Sequence, residues 1–405
     1  MAAHYLRGTR CAGASRKLRE KSKIQGLISH MSQPPGLPSA ASRHLRRVRR
    51  KLSATAPGRT LSMMRARAAG KTPRRVLLLS DGVAYTSEQQ FAPLIRHAGA
   101  IAARTGLVFT FGNVARARSL TSQALQGWHM VGLKLGFTMP GEEAEALAAH
   151  VFEAARAAGA RAVYFDGDDD QGVLWPKVIA ASDAYIKKHR FSDIEDYKTG
   201  WIGKSNLTEY SHRNFGVSFA DDIIPQTSPL TSSDISKIVL GWNIALDDKI
   251  ADLAQDIPAS ALRTPRTVDI LCRASVGSTM WTFGMRDAAV QAIEALDDRK
   301  VHAPTDRVPQ DAYYREMLTA RMSVSPYGFG ELCWRDFESI LLGSVLVKPD
   351  MGHIATEPNL FVPHETYVPV AWDYSDLAEA IAPYLDDEAK RQAMADTCLL
   401  YTSDA

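Results

Sequence analysis

Cysteine is scarce in this chain. Its four cysteines, Cys11, Cys272, Cys333 and Cys398, are far apart, and none stands in a CxxC or other metal-binding spacing. Neither a disulfide framework nor a structural zinc site is expected, and a reducing, cytoplasmic compartment follows. No apolar run approaches the roughly 18 residues that would cross a bilayer. The motifs GxxxxGKS/T, HExxH and GxSxG are missing, so P-loop, zincin and α/β-hydrolase readings fall away. The first residues contain no apolar core of about 7–15 residues, so a secretory signal peptide has no support. A periplasmic binding protein would need one.

Acid is almost missing from the beginning of the chain. Residues 1–75 hold 19 Lys/Arg and one acid, Glu20, a net of +18; residues 76–405 hold 29 Lys/Arg and 44 Asp/Glu, a net of −15. Three readings of the basic leader compete: an arm for nucleic acid or anionic membrane, an organelle transit peptide, or upstream sequence preceding a start at Met63 or Met64. The third is favoured, because the run lacks interleaved aromatics and an amphipathic pattern. Residues 1–74 are therefore expected to be disordered or non-native. The end, "TCLLYTSDA", breaks the polar pattern of the helix before it, and 398–405 are expected to be a non-native tail.

Between these ends, apolar strands alternate with amphipathic helices. Strand patterns cover 75–80, 107–111, 129–135, 161–170 (ending in acids) and 183–188, with helices at 88–104 and 141–160. Residues 198–232 read as loops, and 234–254 as helix. After the linker-like "PASALRTPRT" (258–267) the alternation restarts. Strands follow at 268–273, 321–326, 344–349 and 366–370, with helices around 286–296 and 311–319 and from 375 onward. This pattern predicts an α/β protein of two Rossmann-like domains facing a cleft, 75–260 and 261–397, with ligands at the strands' carboxyl ends.

The densest stretch is "SVSPYGFGELCWRDFESILLGSVLVKPD" (323–350). Gly328 and Gly330 allow a turn with close backbone approach, and a helix expected from Glu331 aims its free N–H groups there, an anion site. On that helix Glu331, Arg335 and Glu338 lie within about 60° of one another. An i,i+4 ion pair on a solvated face is the plain reading. The glycines and the buried strand that follows favour a nucleotide-diphosphate site, with Arg335 on phosphate and Glu338 on ribose hydroxyls.

The run from Gly328 to Val347 resembles the C-terminal signature of exostosin-like glycosyltransferases. That signature has a Gly-x-Gly turn, an Arg, a Glu three residues later, and a Gly before a strand. It is also similar to the donor half of bacterial group 1 glycosyltransferases; both are two-domain (GT-B) enzymes. Gly328, Gly330, Arg335, Glu338 and Gly343 match by position. Ser339 and Ser344 replace small residues, and Tyr327 stands where the group 1 pattern has its first Glu. The match is strongest over 320–372. It implies transfer of a sugar from a nucleotide-diphosphate sugar to a hydroxyl acceptor (glycan, polysaccharide or lipid-linked) without an essential metal. Arg273 and Lys348 are then further donor-site cations, with Glu331 beside them. The acceptor is expected in the first half, where Asp81 is a candidate base. His97 reads as an ordinary helix residue.

Rivals remain. Asp166 and Asp168, ending a strand in "YFDGDDD", resemble the Asp-x-Asp of single-domain (GT-A) glycosyltransferases, where Mn²⁺ or Mg²⁺ holds the donor. A GT-B-like sugar-nucleotide epimerase or hydrolase and a non-catalytic bilobed binding protein are the others. No nucleic-acid partner is expected for the folded part, whereas peripheral membrane association is compatible with the leader.

Overall fold

The computed structural model describes residues 52–81, 89–222, 224–243, 248–276 and 281–403. The first half holds strands β1 (Arg74–Ser80), β2 (Leu107–Asn113), β3 (Met130–Lys134), β4 (Arg161–Asp166), β5 (Ala184–Lys187), β6 (His189–Phe191) and β7 (Ile238–Leu240). The second holds β8 (Val268–Leu271), β9 (Val301–His302), β10 (Ala320–Val324), β11 (Val345–Pro349), β12 (Ile354–Thr356) and β13 (Val368–Val370). The large sheets are parallel throughout, in the orders β2-β1-β3-β4-β5-β7 and β13-β11-β10-β8-β9. Renumbered within each half, both run 2-1-3-4-5, the first sheet adding a sixth strand. The chain therefore reverses direction between β1 and β3 and again between β8 and β10. A ligand crevice opens at such a switch point, outside the strands' carboxyl ends.

The strands are apolar because helices cover both faces. In β1, Val76 to Leu79 are all buried. The helix Gly141–Ala157 inserts Ala144, Leu147, Ala148, Val151, Phe152 and Ala155, spaced three and four apart, into the first core, with Glu142 and Glu143 in its first turn where the dipole favours acids.

Several expectations are corrected. The helix expected over 88–104 is two, Ala92–Arg96 and Ala98–Thr105, joined at His97; Glu88 lies outside the described residues. The expected helix at 234–254 is interrupted by β7, where Ile238 and Val239 favour a strand. Within the loop-like 198–232 lies the helix Asn206–Phe215, capped by Ser205 and Thr208 and ended by Gly216 at φ 67°. This helix packs on the second half: Ser211 lies 3.7 Å from the Met285 sulfur.

The packing also divides the chain before residue 260. Ile250, Leu253 and Ala261 belong to the second core. The folded part begins before residue 75, since the helix Ala56–Ala68 packs on Ala98–Thr105. Of the expected tail, residues up to Ser403 continue the helix Glu388–Ser403, and Cys398 is buried against the Thr366 carbonyl.

The halves meet closely. Strands β6 and β12 pair antiparallel across them, with Ile354 opposite Phe191. Gly330 of the second half lies so near the first that a Cβ there would sit 1.3 Å from the Asp169 carbonyl oxygen. Gly330→Ala is therefore expected to part the halves, at no less than the ~1–3 kcal/mol of ordinary overpacking. Small-angle scattering and thermal unfolding check this. A larger radius of gyration with a lower Tm is expected; an unchanged profile would show that the contact does not hold the halves together.

Candidate functional site

The second half's switch point lies between the ends of β8 and β10, and residues 325–335 fill it. The helix there is Trp334–Leu341, three residues later than expected. Glu331 thus precedes it, and the three charges do not form one helical stripe. The helix start is capped internally: Asp336 accepts from the Cys333 amide (2.9 Å) and from the Ser325 hydroxyl (2.5 Å). This carboxylate occupies the position expected for a ligand anion. Gly343, at φ 70°, turns the chain into β11.

Lys348 is fully buried and pairs with Asp336 at 3.0 Å, so it neutralises the cap and is not presented to a ligand. Arg273 forms two hydrogen bonds to Glu316, at 2.7 and 2.6 Å, and reaches Asp306. Its charge is met; its backbone carbonyl accepts from Arg335 at 2.7 Å. Both residues support the site instead of lining it as expected.

Arg335 is different. It is half-buried, it donates to the Arg273 carbonyl beside Tyr313, and its Nε is sealed from solvent without a partner. Arg286, from the helix Phe283–Glu294, faces the same turn: its Nε donates to the Tyr327 carbonyl at 3.2 Å. A Cβ on Gly328 would lie 3.5 Å from its Nη2. Burial lowers the Arg286 pKa, and the Arg335 charge lowers it further. Among the described residues no carboxylate pairs with either guanidinium. Burial works to lower the Arg335 pKa as well, but Tyr313, the neighbouring cysteines and Asp336 raise it overall, so Arg286 is the less compensated of two guanidinium groups that together make a candidate anion site.

Glu338 is buried, accepting from the Tyr314 hydroxyl (3.1 Å) and pairing with Lys249 (2.6 Å). Glu331, fully buried, crosses to the first half. It accepts from Gln171 at 2.7 Å and lies 3.7 Å from His189 and 3.4 Å from His353. Four atoms there are buried without hydrogen-bond partners: Glu331 Oε2, Gln171 Oε1 and both ring nitrogens of His189. Tyr327, at the position of the pattern's first Glu, turns inward and donates to the Asp350 carbonyl at 2.7 Å.

In the first half, every acid of "DGDDD" faces a lysine. Asp166 meets Lys187 at 2.7 Å, Asp168 meets Lys134 at 2.7 Å, Asp169 meets Lys188 at 2.7 Å, and Asp170 meets Lys204 at 3.4 Å. Burial works to raise the Asp166 pKa, but Lys187 and then Lys134 outweigh it and hold it at about 2. Burial raises that of Asp170. Asp166 and Asp168, the residues of the metal-binding alternative, are thus each paired with a buried lysine. Among the described residues no cluster of His, Cys, Asp and Glu could hold a metal. Asp81 follows β1 at the first switch point, half-buried, its Oδ1 without a partner.

Gln171, His189, Arg286, Asp336 and His353 were not singled out in the sequence. Only Asp336 carried a local signal, three residues after the N-cap; the others come together through strand order.

Asp166→Asn, which strands Lys187, should cost about 3–5 kcal/mol in urea unfolding, and adding Lys187→Met should recover most of it. The native pair stabilises fully above pH 3.8 and loses its effect as pH falls towards 2. Protection of the protein by Mn²⁺, lost in Asp166→Asn, would contradict this structural role. For His189, burial lowers the pKa from its ordinary 6.5. The folded state keeps the ring neutral while the unfolded chain takes up a proton. Stability is then complete above pH 6.5 and falls below it by up to ~1.4 kcal/mol per pH unit. His189→Gln should flatten that slope, and an unchanged slope would exclude His189 as its source.

No family model matches the chain, and no curated protein matches it. Among solved structures it is similar to a glycosyltransferase from Rickettsia africae ESF-5, with 11% identity, 82% of this chain and 94% of that chain covered, and a TM-score of 0.46. A sucrose-phosphate synthase from Thermosynechococcus elongatus shares 12% identity, with 82% and 94% covered and a TM-score of 0.43. An α,α-trehalose-6-phosphate synthase from Burkholderia multivorans shares 10%, with 82% and 95% covered and a TM-score of 0.40.

Proposed function

We propose that the protein is a two-domain glycosyltransferase of the GT-B type, moving a sugar from a nucleotide-diphosphate sugar to a hydroxyl acceptor. The observation that carries this reading is the guanidinium pair, Arg286 and Arg335, without carboxylate partners at the switch point of the second sheet. A diphosphate answers their charge, and the Arg335 Nε–H, buried without a hydrogen-bond partner, is a donor left over for it. The exostosin-like pattern of Gly328, Gly330, Arg335, Glu338 and Gly343 agrees with this assignment, although Glu338, paired with Lys249 and buried, would have to exchange that partner to meet ribose hydroxyls.

In transfer, the bond from the anomeric carbon to the phosphate oxygen breaks, and its electron pair leaves with the diphosphate. The acceptor oxygen bonds to the same carbon and gives up its proton. Arg286 and Arg335 stabilise the departing charge, a role that fixed cations in a water-poor site perform without a metal. Asp81, at the first half's switch point, is the proposed base for the acceptor proton. Glu331, Gln171 and His189 supply polar atoms for sugar hydroxyls once the halves part to admit the donor.

The test is thermal shift and diphosphate release with UDP-, GDP- and ADP-sugars, with and without EDTA. One donor should stabilise the protein in EDTA, and Arg335→Ala and Arg286→Ala should each lose that stabilisation. Asp81→Asn should keep donor binding and lose ~10²–10⁴-fold in transfer rate. Donor binding that requires Mn²⁺, or that survives both arginine substitutions, would refute the assignment.

A further inference from the structure

We infer that the helix Ala56–Ala68 docks the protein on an anionic membrane surface. One face of this helix is fixed to the body: Ser62 and Ala66 are buried, and Met63 packs with Ala102 and Val108. At 100° per residue, the opposite face carries Leu61, Met64 and Ala68 in a row, flanked by Arg65 on one side and Arg67 on the other. All five are exposed. Leu61 is 49% and Met64 59% accessible, and Leu52, just ahead of the helix, 57%. Among the described residues, no core cluster takes up Leu61 or Met64. The helix is thus apolar along two opposite stripes, of which the interior uses one.

The charge around the outer stripe has one sign. Residues 52–80 and 89–113, which form this helix, the helix Ala98–Thr105 and strands β1 and β2, contain no acid. Arg65, Arg67, Lys71, Arg74 and Arg104 are exposed there. The sequence before the helix, residues 1–51, is also strongly basic. Aliphatic side chains bordered by arginines suit the boundary between acyl chains and anionic headgroups. A nucleic-acid surface would use aromatic rings among its cations, and no Phe, Tyr or Trp side chain is exposed in these segments. The amphipathic pattern escapes notice in the sequence because the buried stripe is built from Ser62, Met63 and Ala66, residues that do not read as core.

The full chain is tested by sedimentation with vesicles of phosphatidylcholine alone and of phosphatidylcholine mixed with phosphatidylserine. Binding is expected only with the anionic lipid. Arg65→Gln with Arg67→Gln should weaken it about 30-fold, and Leu61→Ser with Met64→Ser about tenfold or more. Both double variants should keep the native Tm, since the side chains are exposed. Equal binding to both vesicle types, or none, would overturn the proposal. So would undiminished binding by both variants, which would assign it to residues 1–51. Capture of single-stranded RNA, but not vesicles, with loss in the arginine variant would make the surface a nucleic-acid site instead.

Discussion

A carboxylate with no exposed surface, Glu331, stands where the two halves meet, and the site is arranged around that contact. It takes a hydrogen bond from Gln171 of the first half and lies between His189 of the first and His353 of the second. The Gly330 backbone beside it touches the backbone of Asp169. A buried anion held by side chains from both halves is costly unless all its partners are in place. Here several partner atoms remain unpaired. The contact is tight in shape and incomplete in hydrogen bonding.

Charge in the two halves is handled in opposite ways. At the carboxyl ends of β4 and its neighbours, four aspartates are matched by four lysines, which leaves a neutral, rigid floor. At the end of β8 and β10, Arg273 and Lys348 are likewise neutralised, by Glu316 and Asp336. Arg286 and Arg335 stand apart from this pairing. Electrostatic work on a ligand falls to the groups whose charge the protein has not already met.

Much of this frame was legible in the sequence. Continuous apolar strands such as "RVLLLS" and "SVLVKP" announced parallel sheets, and the Gly-x-Gly turn before a charged helix located the second switch point. The helix start was misread because its cap is Cys333, a residue outside the usual capping set, with Asp336 closing it from within. The lysine partner of Asp166 was not legible because it depends on register: Lys187 ends the next strand directly opposite it, a pairing visible only once the strand order is known. Gln171 and Glu331 are 160 positions apart. No local pattern links them.

The central claim is that Arg286 and Arg335 together hold the diphosphate of a nucleotide ligand. A crystal structure with bound UDP tests it most directly. Phosphate oxygens are expected within hydrogen-bonding distance of both guanidinium groups, including Arg335 Nε, with Asp166 and Asp168 still paired to their lysines. A diphosphate bound through a metal at Asp166 and Asp168, or lying away from both arginines, would contradict it.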